Sequence, residues 1–224
     1  MNKSIFVACD VSSHKEILEL LSKIHEEISG IKIGLQYITN HSPQEIRELS
    51  KFNKPIFYDG KFFDIKNTLV ESVKSLKNLD VKYATVHLLN GSDALKAANE
   101  AANNINVRLL GVSILTSFDN EELEKLGFNE QLEKQVLRLV KIAYEAKLYG
   151  VICSPLEVKM IKKAAPGLKC FTPGIRQDKN KNDQKRTMNA KQALEAGSDC
   201  LIIGRPITKG DPKKNIQEIL SSLN

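Results

Sequence analysis

The sequence predicts a (β/α)8 barrel, and three observations carry that prediction. Short β-rich runs alternate with amphipathic stretches from one end of the chain to the other. Several runs are continuously apolar, as in Cys200-Leu201-Ile202-Ile203, which suits parallel strands covered on both faces. The chain has 224 residues, and barrels of this type run from ~200 residues upward.

Taken in order, Ile5–Asp10 reads as a strand. His14–Ile28 follows as a helix with Ile17, Leu18, Leu21, Ile24 and Ile28 on one face. Ile31–Leu35 is the second strand, and the helix after it opens at Ser42-Pro43, with Ser as N-cap and Pro at the first helical position. Pro55–Lys61 is the third strand and Ile65–Leu79 the third helix. Tyr83–Leu88 precedes an alanine-rich helix at Asp93–Ile105. Arg108–Leu115 is the fifth strand, with helical pattern at Glu121–Leu126 and more strongly at Gln131–Lys147. Val151–Ser154 leads into Leu156–Ala165, Lys169–Pro173 into Ala190–Ala196, and Cys200–Gly204 into a closing helix at Pro212–Leu223. An open doubly wound sheet uses the same units. Evenly spaced units in so short a chain favour closure, so residues 1–224 are expected to form a single TIM-barrel catalytic domain without linker or low-complexity segment.

Composition narrows the function. Hydrophobic residues at 42% and charged residues at 27% are ordinary for a globular protein. No run of ~18 apolar residues is present, which excludes a membrane span. The N-terminus runs directly into the first strand, without the longer apolar stretch and cleavage site of a signal peptide, so a cytoplasmic location is expected. Cys9, Cys153, Cys170 and Cys200 each sit in or beside an apolar run, and no two form a CxxC pair. They read as reduced thiols packed in the core, not as a zinc or redox site. The net charge of +6 comes mostly from lysines spread over the helices and not interleaved with aromatics. That pattern argues against a nucleic-acid partner and for solvated helix faces, with a field that attracts an anionic small molecule.

In such a barrel, polar residues at the C-terminal strand ends are the functional candidates. Here they are Asp10, Lys32, Asp59, Lys61, His87, Thr116, Ser154, Pro173, Gly204 and Arg205. Asp59-Gly60-Lys61 followed by Asp64 places two carboxylates and an ammonium at one strand end, beside Lys32 from the adjacent strand. This is either a reactive charged array or a structural ion network. A second cluster follows strands seven and eight, the usual phosphate site of these barrels. It comprises Thr172-Pro173-Gly174-Ile175-Arg176, Asp183-Gln184-Lys185-Arg186 and Ile203-Gly204-Arg205-Pro206. Backbone N–H groups at Gly204 and Arg205 and the Arg205 guanidinium suit a phosphate. The polar stretch between Ile175 and Thr187 reads as a surface loop or as a substrate lid with Arg176 and Gln184 at its ends.

Together these residues resemble the orotidine 5′-monophosphate decarboxylase family, over nearly the whole chain. Asp59-Gly60-Lys61-Phe62-Phe63-Asp64-Ile65-Lys66-Asn67-Thr68 is similar to its D-x-K-x-x-D-I-x-N-T motif. The likeness continues in order through Ala8-Cys9-Asp10, Lys32-Ile33-Gly34, Thr85-Val86-His87, Gly111–Ser117, Gly150–Ser154 and the two phosphate segments. Lys66 stands where bacterial members usually have proline, and Leu88-Leu89-Asn90 replaces the usual small residues after His87.

The resemblance implies decarboxylation of a nucleotide, with Lys32, Asp59 and Lys61 of one subunit and Asp64 of its homodimer partner around the scissile carboxylate. Thr68 would reach in with Asp64 from the partner. Asp10 would contact the ribose hydroxyls and Thr116 the pyrimidine, while Arg176, Gln184, Gly204 and Arg205 would hold the phosphate beside Pro173. No cofactor or metal is implied. The residue chemistry agrees: loss of carbon dioxide leaves an electron pair at C6 that the ring does not delocalise, and no GxGxxG or metal cluster in the sequence offers an electron sink. Fixed charge remains, with Lys61 as electrostatic stabiliser and proton donor. Two other readings share parts of the pattern: a magnesium-dependent enzyme of the same superfamily acting on a sugar phosphate, and a non-catalytic nucleotide-binding barrel. The continuation Ile65-Lys66-Asn67-Thr68 and the segment Asp183-Gln184-Lys185-Arg186 favour the orotidine reading over the former, and the four intact charged residues favour it over the latter.

Overall fold

The computed structural model describes residues 4–11, 13–176 and 186–223. In chain order its elements are β1 (Ile5–Ala8), α1 (His14–Ile24), β2 (Gly30–Ile33), α2 (Leu35–Asn40), α3 (Pro43–Glu48), β3 (Ile56–Phe62) and α4 (Lys66–Ser75). They continue as β4 (Tyr83–His87), α5 (Ser92–Asn104), β5 (Arg108–Val112), α6 (Asn120–Lys125), α7 (Leu132–Glu145), β6 (Gly150–Ile152) and α8 (Val158–Ala164). The chain ends with β7 (Lys169–Thr172), α9 (Ala190–Glu195), β8 (Cys200–Ile203), α10 (Arg205–Thr208) and α11 (Pro212–Ser222). The strands pair in parallel in sequence order, and β8 returns to β1 through Phe6↔Ile202 to close the barrel.

Strand periodicity divides the barrel wall into two faces. Ile5, Val7, Ile31, Ile33, Leu201 and Ile203 face outward and pack with the buried faces of the helices, including Ile17, Leu21 and Ile24 of α1. Phe6, Phe57, Leu110, Phe171, Cys200 and Ile202 form a separate inner cluster. Its aromatics meet edge-on or tilted, with ring centroids 5.6 Å apart for Phe6–Tyr83 and 5.4 Å for Tyr83–Phe171. The same inward rows then change character. Two residues past Phe57 comes Asp59, and two past Tyr83 comes Thr85. The barrel is thus plugged by apolar rings below and lined by polar groups at its C-terminal mouth.

Local sequence explains several helix starts. Ser42 and Glu45 form a reciprocal capping box at α3, with Pro43 in the first turn, as expected. Other boundaries differ from expectation. The first helix ends at Ile24 and not Ile28, although Ile28 is still buried. The third is split into α4 and a 3-10 turn at Leu76–Asn78. α2 and α10 carry no signal in the sequence pattern, and Arg205 opens a short helix beyond its strand end. No helix among the described residues is long and apolar enough to cross a membrane.

Candidate active site

β3 supplies two inward charges. Its ladder with β4 is regular at Tyr58↔Ala84 and resumes at Phe62↔Val86 after a shift of register, an irregularity of the kind that re-aims side chains beside active sites. Within it Lys61 adopts a left-handed φ of 48°, which costs a non-glycine residue about 1–3 kcal/mol and persists only where its surroundings hold it there. They do: the Lys61 N–H donates to Thr85 Oγ1 at 2.8 Å, and its Nζ donates to Asp59 Oδ2 at 2.9 Å. The Thr85 hydroxyl donates in turn to Asp59 Oδ1 at 2.9 Å. Between the two charges stands Gly60, where any side chain would push a ring aside. A Cβ on Gly60 would lie 2.7 Å from the Tyr58 ring, which stacks with Phe62.

From β2, Lys32 Nζ reaches Asp59 Oδ2 at 3.4 Å and Asp10 Oδ1 at 3.1 Å. The order Asp10–Lys32–Asp59–Lys61 is therefore a continuous alternation of sign. Gly34 makes room for it, because a Cβ there would meet Asp10 Oδ1 at 2.8 Å and Lys32 Nζ at 3.1 Å. Burial opposes the charge on Lys32, yet the Asp59 and Asp10 carboxylates outweigh it and hold its pKa above the ordinary lysine value. Burial likewise opposes ionisation of Asp59, and Lys32, Lys61 and the Thr85 hydroxyl together hold its pKa below the usual carboxylate range. His87 is held below the ordinary histidine value, first by burial and second by Lys61.

A cavity of ≈ 220 Å³ opens at this array. Asp10, Lys32, Asp59, Lys61, Thr116, Pro173, Arg176, Gly204 and Arg205 all line it, together with apolar side chains that include Ile114, Ile152 and Ile202. Most of the strand-end candidates thus surround one space, with the carboxylates and lysines on the β1–β3 side and the arginines beyond β7 and β8, whereas His87 and Ser154 do not line it. Asp64 and Thr68 do not line it and are solvent-exposed. Gln184, Asp183 and Lys185 lie outside the described residues. Among the described residues no group of three His, Cys, Asp or Glu side chains is arranged to hold a metal ion. All four cysteines are buried and free, and burial pushes Cys9 and Cys200 up to about 12, as suits inert core thiols.

Sequence reasoning left several contributors without a role. Thr85 is fully buried and links Asp59 to Lys61; the signal was a hydroxyl two residues before His87 on an otherwise apolar strand. Glu157, also buried, accepts from Ser154 N at 2.9 Å and pairs with Arg186, whose Nη2 donates to Leu115 O at 2.9 Å. That contact ties the Arg186 end of the second phosphate segment to the strand ends of β5 and β6. Asn90, which departs from the resembling family, donates to Phe62 O and accepts from Asp64 N.

Fold and site define a class: a closed (β/α)8 barrel with an alternating lysine–aspartate array at its C-terminal mouth. Comparison with known proteins places the chain within that class. The model of the "Orotidine 5′-phosphate decarboxylase / HUMPS family" matches residues 3–219. A relative from Wolbachia pipientis subsp. Culex pipiens (strain wPip), named orotidine 5′-phosphate decarboxylase, is 37% identical over 221 residues, covering 98% of each chain. The enzyme of that name from Ehrlichia canis (strain Jake) is 36% identical, covering 98% of this chain and 97% of its own. The crystal structure of orotidine 5′-phosphate decarboxylase from Lactobacillus acidophilus superposes over 100% of both chains with a TM-score of 0.86 at 31% identity. This chain belongs to the orotidine 5′-phosphate decarboxylase / HUMPS family.

Proposed function

We propose that this chain is a carboxy-lyase that converts orotidine 5′-monophosphate to uridine 5′-monophosphate, the last step of de novo pyrimidine nucleotide synthesis, without a cofactor. The observation that carries the reading is the alternating Asp10–Lys32–Asp59–Lys61 array facing one cavity, with Arg176 and Arg205 on its far side. The names of the full-length relatives support the substrate.

In this reading the C6–carboxylate bond breaks, carbon dioxide leaves, and the electron pair stays on C6. The Lys61 ammonium stabilises that pair and then transfers a proton from Nζ to C6; solvent returns a proton to the amine. Asp59 holds Lys61 and Lys32 in register. Asp10 contacts the ribose hydroxyls and Thr116 the pyrimidine. Arg205 and the Gly204 backbone, with Arg176, Pro173 and Gln184, take the phosphate, whose binding energy lies far from the reacting carbon and organises the site. The test is loss of ultraviolet absorbance when protein meets orotidine 5′-monophosphate, before and after exhaustive EDTA treatment. Turnover that EDTA leaves intact is expected. Turnover lost with EDTA and restored by magnesium contradicts the reading.

The site is completed across a homodimer, with Asp64 and Thr68 offered to the partner's cavity. Two features support this: both residues are exposed and outside their own cavity, and Asp64 is flanked by Phe63 and Ile65, which are 62% and 74% exposed. Large exposed apolar side chains around a charged group suit a surface that a second copy covers. Lys61→Ala and Asp64→Ala dimers, each nearly inactive, are dissociated and remixed. Random mixing makes about half the dimers mixed, each with one intact site, so roughly a quarter of wild-type activity returns. No recovery after subunit exchange verified by mass rules out the shared site.

A further inference from the structure

We propose that Asn90 is a positioning residue for Asp64, holding in place the loop that presents this carboxylate to a second copy of the chain; the inference rests on the role given to Asp64 above. Asn90 lies at the end of a 3-10 turn, Leu88–Asn90, immediately beyond β4. A carboxamide offers two N–H donors and one good acceptor, and here all are used. Its Nδ2 donates to Phe62 O at 2.9 Å and to His87 O at 2.7 Å, while its Oδ1 accepts from Asp64 N at 3.0 Å.

The choice of backbone partners gives the arrangement its meaning. Phe62 C=O and Asp64 N–H are the peptide groups on either side of Phe63. They are the pair that a neighbouring strand would satisfy if β3 continued. The Asn90 side chain takes that strand's place just past the end of β3, and its third bond anchors it to the end of β4. Asp64 is fixed further by its own Oδ1, which accepts from Ile65 N at 2.7 Å. Phe63, Asp64 and Ile65 are all exposed, and beside Asn90 the loop is held by the Phe63 ring against His87 at 5.5 Å and by Leu69 N–H donating to Ile65 O at 3.0 Å. Without the carboxamide these peptide groups would turn to water, and the carboxylate would have to be ordered each time it met Lys61 of another copy. A misplacement of ~1 Å at a reacting centre costs on the order of 100-fold in rate.

A carboxylate of the same shape cannot substitute. Asn90→Asp keeps an oxygen for Asp64 N–H but turns an oxygen, in place of the amide nitrogen, toward the Phe62 and His87 carbonyls. The proposal therefore concerns the donors and acceptor of Asn90, not its size.

The test is a double-mutant cycle on the intact protein, with kcat and KM for orotidine 5′-monophosphate measured for wild type, Asn90→Ala, Asp64→Ala and the double variant. Assays are run well below the melting temperature of each. Asn90→Ala is expected to lower kcat roughly 10- to 100-fold with KM within about threefold, because Asp10 and Arg205 grip the substrate from other elements. The double variant should be no slower than Asp64→Ala to within about twofold, as for two residues acting through one group. Losses that multiply, or a wild-type kcat for Asn90→Ala, overturn the inference. Asn90→Asp provides the same comparison at unchanged side-chain volume should the alanine variant fold poorly. If Asp64→Ala alone keeps wild-type kcat, the role of Asp64 fails first and the inference with it. If Asp64→Ala is slow and the losses multiply, only the inference fails.

Discussion

Removing Asp59 should cost stability as well as activity, and the structure gives the scale. Its side chain is 13% exposed and that of Lys32 is 9% exposed, so their contact is shielded from water. Asp59 Oδ2 faces both ammonium groups and Oδ1 accepts from Thr85. In Asp59→Ala, Lys32 keeps only the more exposed Asp10, Lys61 loses its anchor, and the Thr85 hydroxyl loses its acceptor. Truncating one partner of a buried ion pair costs about 3–5 kcal/mol, because the other charge stays buried and uncompensated. For a chain of this size each kcal/mol moves Tm by roughly 2–4 °C, so the expected fall is roughly 6–20 °C. Asp59→Asn, which retains an acceptor for Thr85, should fall less. Differential scanning calorimetry on wild type and both variants reads this directly. A fall of under about 2 °C for Asp59→Ala would show Lys32 to be solvated or repartnered at no cost, against this expectation.

The remaining predictions concern pH and substrate. Asp59 has a depressed pKa in the fold, so its contribution is present above its ordinary value of 3.8 and is lost as pH falls through the lower folded value. Lys32 is raised, so its contribution is complete below its ordinary value of 10.5 and is lost as pH rises through the higher folded value. The Tm gap between wild type and Asp59→Asn should therefore stay level across the neutral range and close only in acid below 3.8; a gap that closes between pH 5 and 7, on the order of two units too early, contradicts that sign. Arg205→Ala should lose about 2–5 kcal/mol of transition-state binding, measured as kcat/KM, with the fold intact. Wild type and variant should then differ little on a substrate lacking the phosphate, and an equal loss on that substrate would remove Arg205 from the phosphate site.

How far the sequence carried depends on which atoms do the holding. Asp59 and Lys61 were legible because residues two apart on a strand share a face, and their types already imply an ion pair. Lys32 joined them because neighbouring parallel strands bring their ends together. The helices α2 and α10 were not legible: α2 buries only Tyr37 and so shows no apolar period, and α10 is a turn of four residues. Ile28 continued the apolar repeat of α1, and burial after the chain has turned leaves the same mark as burial on a helix. Thr85 and Asn90 escaped for a different reason. Each acts on partners more than 20 residues away, and Asn90 binds main-chain atoms that are the same for any side chain. Arg186 belongs by sequence to the phosphate segment, whereas its guanidinium is engaged by Glu157 and the Leu115 carbonyl. Such contacts depend on loop paths that no local pattern specifies.

The proposed reaction requires the Lys61 ammonium, held by Asp59 at the mouth of the barrel, both to stabilise and to protonate the carbanion. Single-turnover decarboxylation of orotidine 5′-monophosphate by Lys61→Ala, with Tm recorded on the same samples, tests it most directly. Nearly all activity should be lost, beyond the range of about 10²–10⁴-fold for an acid–base group alone, because one substitution removes both the neighbouring charge and the proton donor. Tm should shift only modestly, since the Lys61 side chain is one-third exposed. A loss of merely about tenfold would make Lys61 a structural ion-pair partner of Asp59 and not the proton donor.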